Sequence, residues 1–469
     1  MRICLITPPS NFLLDERVFM SLGILKVGAV LEQAGYEVDH LDLTGVENYE
    51  DVVADYKGAR VFAITATTPQ IPAAIRIWKG LHGKVILGGP HATLVSAAAK
   101  RGSERAQKEM CRLLDTFDCV VAGDGEKSII HAIKEYGLID ADDPKSPMWN
   151  TSQEFTQSPW PARHLVDVDS YHYTVDGEKA LTMVTQLGCP FECGFCGGRF
   201  SPMLRRIRTR PSSSVIAEMM HLYENYGVKG MMFYDDELNV NKGLVDLMHQ
   251  IKATGIEWRL RGFVKAELFT EEQAESMYAA GFRWLLCGFE SAHPRILRNI
   301  NKKATLDDNT RMLRIAHKYG LKVKALMSVG HPGESEETIH ATRDWLLKEK
   351  PDEFDCTVIT VYPGTPYYDS AVRSPLCDSI YRYEINGDAL YSEDVDFNGG
   401  LQYYKGKPGE YQAFVWTDYV DQEKLVLLRD ELEQEVRSKL GIPYQVGAPA
   451  LRYEHSMGQS LPPSILRTR

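Results

Sequence analysis

The sequence predicts an α/β chain in three parts. These are a Rossmann-like domain over residues 1–140, an open (β/α)6 partial barrel over residues 174–370 and a mostly helical extension over residues 371–469. Short β-rich apolar runs alternate with helical patterns through the first part, which is the signature of a parallel doubly wound sheet. Six further strand–helix units follow with regular spacing, too few to close an eight-stranded barrel. The rhythm then stops near residue 371. Residues 141–173, rich in Pro, Ser and Asp, read as a linker.

In the first part the strands are expected at residues 2–7, 36–41, 60–65, 84–87 and 119–122, with helices at 22–34 and 71–82. Ligands of such sheets bind beyond the carboxyl ends of the strands. Those ends read Thr7-Pro8-Pro9, Thr67-Thr68-Pro69-Gln70, Gly88-Gly89-Pro90-His91 and Gly123-Asp124-Gly125-Glu126. Small and hydroxyl residues there let the backbone approach a large flat or phosphate-bearing ligand. A nucleotide-binding Rossmann-like domain has the same outline.

In the second part strands are expected at 181–187, 230–234, 256–263, 282–289, 321–329 and 355–361, and helices at 212–226, 241–254, 270–280, 305–319 and 335–349. The first of these strands runs into Leu187-Gly188-Cys189-Pro190-Phe191-Glu192-Cys193-Gly194-Phe195-Cys196. Its Cx3Cx2C spacing in a Gly/Pro-rich loop lets three thiolates face one centre. Three thiolates on a four-iron cubane leave one iron open to a small molecule. A structural zinc site would need a fourth Cys or His nearby, and none follows. A thioredoxin-type pair, Cys193 and Cys196, would leave Cys189 superfluous. Cys287 and Cys356 sit within apolar strands and read as core residues.

The cysteine loop, with aromatic Phe195 before its last cysteine, resembles that of the radical S-adenosylmethionine (SAM) superfamily. The GGPHAT and GDGE stretches resemble the cobalamin-binding domain that precedes the barrel in one of its subfamilies, the class B methylases. The resemblance implies three cofactors: a [4Fe–4S] cluster on Cys189, Cys193 and Cys196, SAM, and cobalamin. For SAM it points to Phe195, to Asp235 or Asp236 for the ammonium, Arg261 for the carboxylate and Glu290 for the ribose, with Gly330 and Gly333 beside adenine. For cobalamin it points to Thr7, Pro8, Thr67, Thr68, Gln70, Gly88, Gly89, His91, Gly123, Gly125 and Glu126. The Asp-x-His-x-x-Gly signature that supplies a histidine to cobalt elsewhere is absent. His91 is therefore not expected to be a ligand, and the loop 67–70 or water is expected beneath the metal.

The activity implied is methylation of an unactivated carbon through a 5′-deoxyadenosyl radical and methylcobalamin. Other outcomes of the same cofactors are a rearrangement, cyclisation or oxidation, and a corrinoid or electron carrier is the non-enzymatic alternative. An external one-electron reductant of flavodoxin or ferredoxin type is implied as partner.

Composition agrees with an enzyme of small molecules or peptides. The chain has 469 residues, 44% hydrophobic and 25% charged, with net charge −11. No basic, aromatic-interleaved surface for nucleic acid is evident. Residues 205–210, Arg-Arg-Ile-Arg-Thr-Arg, read as a solvated loop. No apolar run is long enough to span a bilayer. Nine cysteines, an odd number, and an amino terminus without a signal-peptide layout lead us to expect a cytoplasmic protein. In the last part Tyr381, Tyr383, Tyr391, Tyr403, Tyr404, Tyr411, Trp416 and Tyr419 either wall a pocket or pack against the barrel's outer face. Residues 423–440 read as an amphipathic helix closed by Gly441 and Pro443, with a loosely ordered tail after Pro449.

Overall fold

A computed structural model describes residues 1–442, apart from Leu14, Leu376 and residues 401–411. Tyr403, Tyr404, Tyr411, Pro443 and the tail beyond Pro449 therefore lie outside the described residues.

The first sheet contains β1 (Arg2–Thr7), β2 (Glu37–Asp42), β3 (Val61–Thr65), β4 (Lys84–Gly88), β5 (Cys119–Gly123) and β6 (Gly137–Ala141). All pairs are parallel, in the order β2-β1-β3-β4-β5-β6. The order of strand addition reverses between β1 and β3, so the crevice of this doubly wound sheet opens at their carboxyl ends. Strand β6 was not expected: Gly-Leu-Ile-Asp-Ala is short and lies at the sheet edge, with Leu138 exposed. The helices Pro90–Lys100 and Glu104–Thr116 were also unforeseen. The first starts on the Gly-Pro read as a loop, although proline suits a helix's first turn.

The second sheet has the order β15-β14-β13-β12-β11-β8-β7. Six parallel strands form the open (β/α)6 unit: β8 (Glu178–Met183), β11 (Gly230–Phe233), β12 (Arg259–Phe263), β13 (Phe282–Glu290), β14 (Lys322–Val329) and β15 (Glu353–Val358). A two-residue strand β7 (Thr174–Val175) adds antiparallel to β8. The strand expected at 181–187 is broken. The Asp235 carboxylate takes both the amide and the hydroxyl of Thr185, which ends β8. The chain re-forms as β9 (Gln186–Leu187), paired with β10 (Arg208–Thr209).

The extension departs from the mostly helical expectation. It is a four-stranded antiparallel sheet, β16 (Val372–Ser374), β17 (Cys377–Ile385), β18 (Asp388–Glu393) and β19 (Val415–Thr417), followed by the helix Gln422–Leu440. Asn386 and Gly387, at φ 53° and 82°, make the tight turn that an Asn-Gly pair favours between antiparallel strands. The helix covers the barrel's open edge. Glu433 accepts the Cys356 amide at 2.6 Å, and Arg429 and Arg437 donate to the carbonyls of Cys356 and Phe354. These side chains satisfy backbone groups that an edge strand otherwise leaves unpaired.

Candidate active site

The carboxyl ends of both parallel sheets open on one cavity of about 940 Å³. From the first sheet its wall includes Thr7, Thr67, Thr68, Gln70, Gly88, Gly89, Gly123, Gly125 and Glu126. From the second it includes Gly188 and Gly197 of the cysteine loop, together with Tyr234 and Asp236 after β11.

Two residues expected on this wall are not there. Pro8 stands behind it, its carbonyl accepting from the Gln70 amide at 3.0 Å. His91 is fully buried and turned the other way. Its Nδ1 lies 3.1 Å from Thr68 Oγ1, its Nε2 3.6 Å from Glu109, and its ring 6.0 Å from Phe397. The cause is its position early in the helix Pro90–Lys100, on the face that packs against the helix Glu104–Thr116. Gln70 lines the cavity but has a bracing role: its Oε1 accepts from the Thr67 amide and its Nε2 also donates to Ser10.

Each cation on the wall is paired with a carboxylate. Lys26 meets Glu126 at 2.9 Å. Burial alone would raise the Glu126 pKa, but Lys26 brings it below its ordinary value. Arg208, 1% exposed, binds Asp124 across the two domains. Burial, then the neighbouring charge of Glu126, pushes Asp124 up to about 6 against that attraction. Arg210 pairs with Glu218 at 2.5 Å. The basic run is thus partly internal rather than a solvated loop, because its β10 segment pairs with the strand entering the cysteine loop.

That loop is tightly held. The Cys189 amide donates to Leu204 O at 2.9 Å and the Gly194 amide to Ile300 O at 2.8 Å. Asn301 Nδ2 donates to Glu192 O at 2.9 Å and Arg205 Nη2 to Pro190 O at 2.8 Å. Gly188, at φ +95°, brings the loop against Arg206: a Cβ there would lie 2.0 Å from Arg206 O. Its amide donates to Asp236 at 2.9 Å.

Cys193 is buried, Cys189 half-buried and Cys196 exposed, and none is in a disulfide. Burial pushes the Cys189 thiol up to about 12 and that of Cys193 upward as well. Among the described residues no three His, Cys, Asp or Glu side chains converge on a single metal ion. The thiolates of a cubane each hold a different iron, so convergence on one point is not required of them. Three unpaired thiols in a backbone-clamped loop at the cavity rim fit that cluster.

The other expected SAM-facing residues divide. Phe195 packs on His331 with ring centroids 5.3 Å apart. Asp236 lines the cavity and accepts from the loop, whereas Asp235 is 1% exposed and consumed by Thr185. Arg261 is fully buried inside the barrel, 5.5 Å over Trp284 and beside Tyr173. It lies mid-strand rather than at the strand's end, and so below the cavity mouth. Glu290 terminates β13 at φ 63° and is held by Lys302 at 3.1 Å and Ser328 at 2.7 Å. Gly330 and Gly333 are also required by the protein's own packing. A Cβ at Gly330 would meet Val415 at 3.0 Å, and one at Gly333 would meet Asp388 at 2.7 Å, so the space they leave holds the C-terminal extension.

Sequence reasoning missed several groups beside this loop. Ser328 donates to Glu290, so its oxygen accepts from His331 Nε2–H at 2.8 Å, and His331 Nδ1 accepts from the Tyr367 hydroxyl at 3.3 Å. Burial holds His331 neutral, with its pKa down at about 4. Lys302 and Lys265 are 5% and 2% exposed. Lys265 donates to Lys302 O at 3.0 Å, pairs with Glu267 at 3.0 Å and lies 4.1 Å over the ring of Phe191. The Gly-His-Pro-Gly-Glu stretch contained His331, but only its glycines were read. Nothing local marked the lysines.

Residues 183–346 match the family described as the Radical SAM superfamily. An uncharacterized methyltransferase of Pyrococcus horikoshii is 27% identical, over 80% of this chain and 84% of that one. The bacteriochlorophyllide d C-12(1)-methyltransferase of Chlorobaculum tepidum is 26% identical, over 75% and 74%. In fold, the radical SAM methyltransferase TsrM from Kitasatospora setae, with cobalamin and a [4Fe–4S] cluster bound, superposes with a TM-score of 0.59 at 19% identity, over 82% of this chain and 81% of that one.

Proposed function

We propose that this chain, a radical SAM protein of the cobalamin-dependent kind, is a methyltransferase that acts on an unactivated carbon of a small molecule or peptide. One observation carries the reading: the cysteine loop and the ligand-binding edge of the first sheet border the same cavity. A methyl donor bound on one side and a radical generated on the other would meet at one substrate. The similarity to methyltransferases over most of the chain supports it. When bound, the reduced cluster supplies the electron that splits SAM into methionine and a 5′-deoxyadenosyl radical, and the corrinoid supplies the methyl group.

The chain's own residues bind, orient and exclude water. Cys189, Cys193 and Cys196 hold the cluster. Asp236 and Glu290 present carboxylates suited to the ammonium and the ribose of SAM, and Phe195 presents a ring. Thr7, the loop 67–70 and the glycines after β4 and β5 bring backbone close to the corrin. Phe19 and Tyr234, with ring centroids 5.8 Å apart, stand on the wall between the two halves. A flavodoxin or ferredoxin supplies electrons. Among the described residues no helix is long and apolar enough to cross a membrane, and we place the reaction in the cytoplasm.

The test uses anaerobic protein reconstituted with iron, sulfide and hydroxocobalamin, then reduced and given methyl-deuterated SAM. S-adenosylhomocysteine should form with deuterium recovered in the corrinoid fraction, and 5′-deoxyadenosine should form as a separate product. Production of 5′-deoxyadenosine alone, with an unlabelled corrinoid, would refute methyl transfer and leave a rearrangement or oxidation.

A further inference from the structure

Two lysines that no motif marks lie against the cysteine loop, and the backbone is bent to put one of them there. Lys302 sits between Asn301 and Lys303, at φ 56° and 69°, and Glu290, its carboxylate partner, is at φ 63°. Three left-handed non-glycine residues in one small region cost free energy and persist only where the surroundings impose them. The surroundings do so here. Ile300 O accepts the Gly194 amide and Asn301 holds Glu192 O, so the segment is bonded to the loop on both sides of Cys193. The preceding helix, Pro294–Asn299, is pinned from the C-terminal hairpin: Asp388 accepts from Asn299 at 2.7 Å and from Arg295 at 2.9 Å.

Lys265 then reaches under the segment to Lys302 O, its ammonium over the ring of Phe191 in the same loop. Burying two ammonium groups is expensive even when each has a carboxylate. Neither side chain caps a helix or closes a sheet. Lys265 thus touches Phe191, two residues before Cys193, and Lys302 directly follows the two residues bonded to the loop on either side of Cys193.

We propose that Lys302 and Lys265 are positioning residues that set the reduction potential of the cluster, by placing fixed positive charge against the loop that carries Cys193. The inference rests on the cluster assigned above, not on methyl transfer. A cluster gains one electron from the external reductant, and the added negative charge is stabilised by nearby cations in a site of low dielectric. Removing a cation should therefore make the cluster harder to reduce.

The experiment is an anaerobic potentiometric series on the reconstituted holoenzyme without substrate, reading the reduced cluster by electron paramagnetic resonance. Lys302→Met should shift the reduction equilibrium at least tenfold toward the oxidised form, about 59 mV for one electron. Lys302→Arg, which keeps the charge, should return it to near the parent. Lys265→Met should shift it in the same direction while leaving the Lys302–Glu290 pair in place. An unchanged potential in Met variants that hold four irons overturns the proposal and leaves methyl transfer standing. Loss of the cluster in both Met variants also overturns it, assigning the lysines to the loop's fold. A parent without a reducible cluster signal would sink both readings.

Discussion

Replacing Gly188 by alanine should abolish cluster binding while the fold survives, and the size of the effect follows from two local costs. The residue sits at φ +95°, where a side chain costs about 1–2 kcal/mol. Its Cβ would lie 2.0 Å from Arg206 O and 2.5 Å from Arg206 C. Backbone cannot swing aside as a side chain can, and overpacking of this kind costs about 1–3 kcal/mol more. Together they reach about 2–5 kcal/mol, which a domain stable by about 5–15 kcal/mol survives. A local loop held by a few hydrogen bonds does not. The strain falls between the β9–β10 pairing and the Cys189–Leu204 bond, so Cys189 should lose its place. Gly197→Ala in the same loop is the control: its Cβ would meet only the Leu94 side-chain ends, at 3.1 and 3.5 Å. Iron and sulfide are measured after anaerobic reconstitution, with far-ultraviolet circular dichroism for the fold. Gly188→Ala should hold less than one iron and Gly197→Ala about four. A Gly188→Ala protein with four irons would refute the reasoning.

Two further outcomes can be stated. Burial holds the Glu334 carboxyl at about 7 instead of its ordinary 4.5. The folded state therefore binds a proton more readily than the unfolded one, and stability from this residue is lost as pH rises from 4.5 to 7. A glutamine can accept from Gly330 N–H and donate to Thr338 Oγ1, whose own proton then goes to Ser335 O. Glu334→Gln should thus match the parent near pH 4 and exceed it by up to about 3 kcal/mol at pH 8; a difference in urea midpoint that stays constant over this range would contradict the assignment. Protein loaded with hydroxocobalamin and reduced to cobalt(II) should show no histidine nitrogen splitting in its paramagnetic resonance spectrum, because no histidine lines the cavity among the described residues. Such splitting would mean that His91 leaves Glu109 and Thr68.

What was legible in the sequence is what is local in the chain. Three cysteines within eight residues announce their chemistry by spacing alone, and strand-end glycines announce close approach. What approaches them is not local. The approach at Gly330 and Gly333 is real, but the partners are Val415 and Asp388, each more than fifty residues away. Asp235 and Asp236 were equivalent on paper, two adjacent carboxylates just past a strand's end, and only the Thr185 contact decides which turns inward. Lys302 had no signature at all, since its place depends on the left-handed turns at Asn301 and Lys303. The C-terminal sheet was readable from Asn386-Gly387, but the tyrosines around it were read as a pocket wall or as packing on the barrel instead.

The pattern of charge on the cavity wall bears on the chemistry. Lys26, Arg208 and Arg210 each face a carboxylate, Glu126, Asp124 and Glu218. An unpaired charge at a wall of low dielectric would hold water in the cavity or shift its own pKa until neutral. Paired charges demand less water. Excluding water lets the bound substrate fill the space beside a radical formed there, so that its C–H bond is the one within reach. The Arg208–Asp124 pair adds a mechanical term, because its partners stand on different sheets. The distance from cluster loop to first-domain strand ends, which any group passing between the two halves must cross, is braced by a buried ion pair whose single-partner loss typically costs about 3–5 kcal/mol.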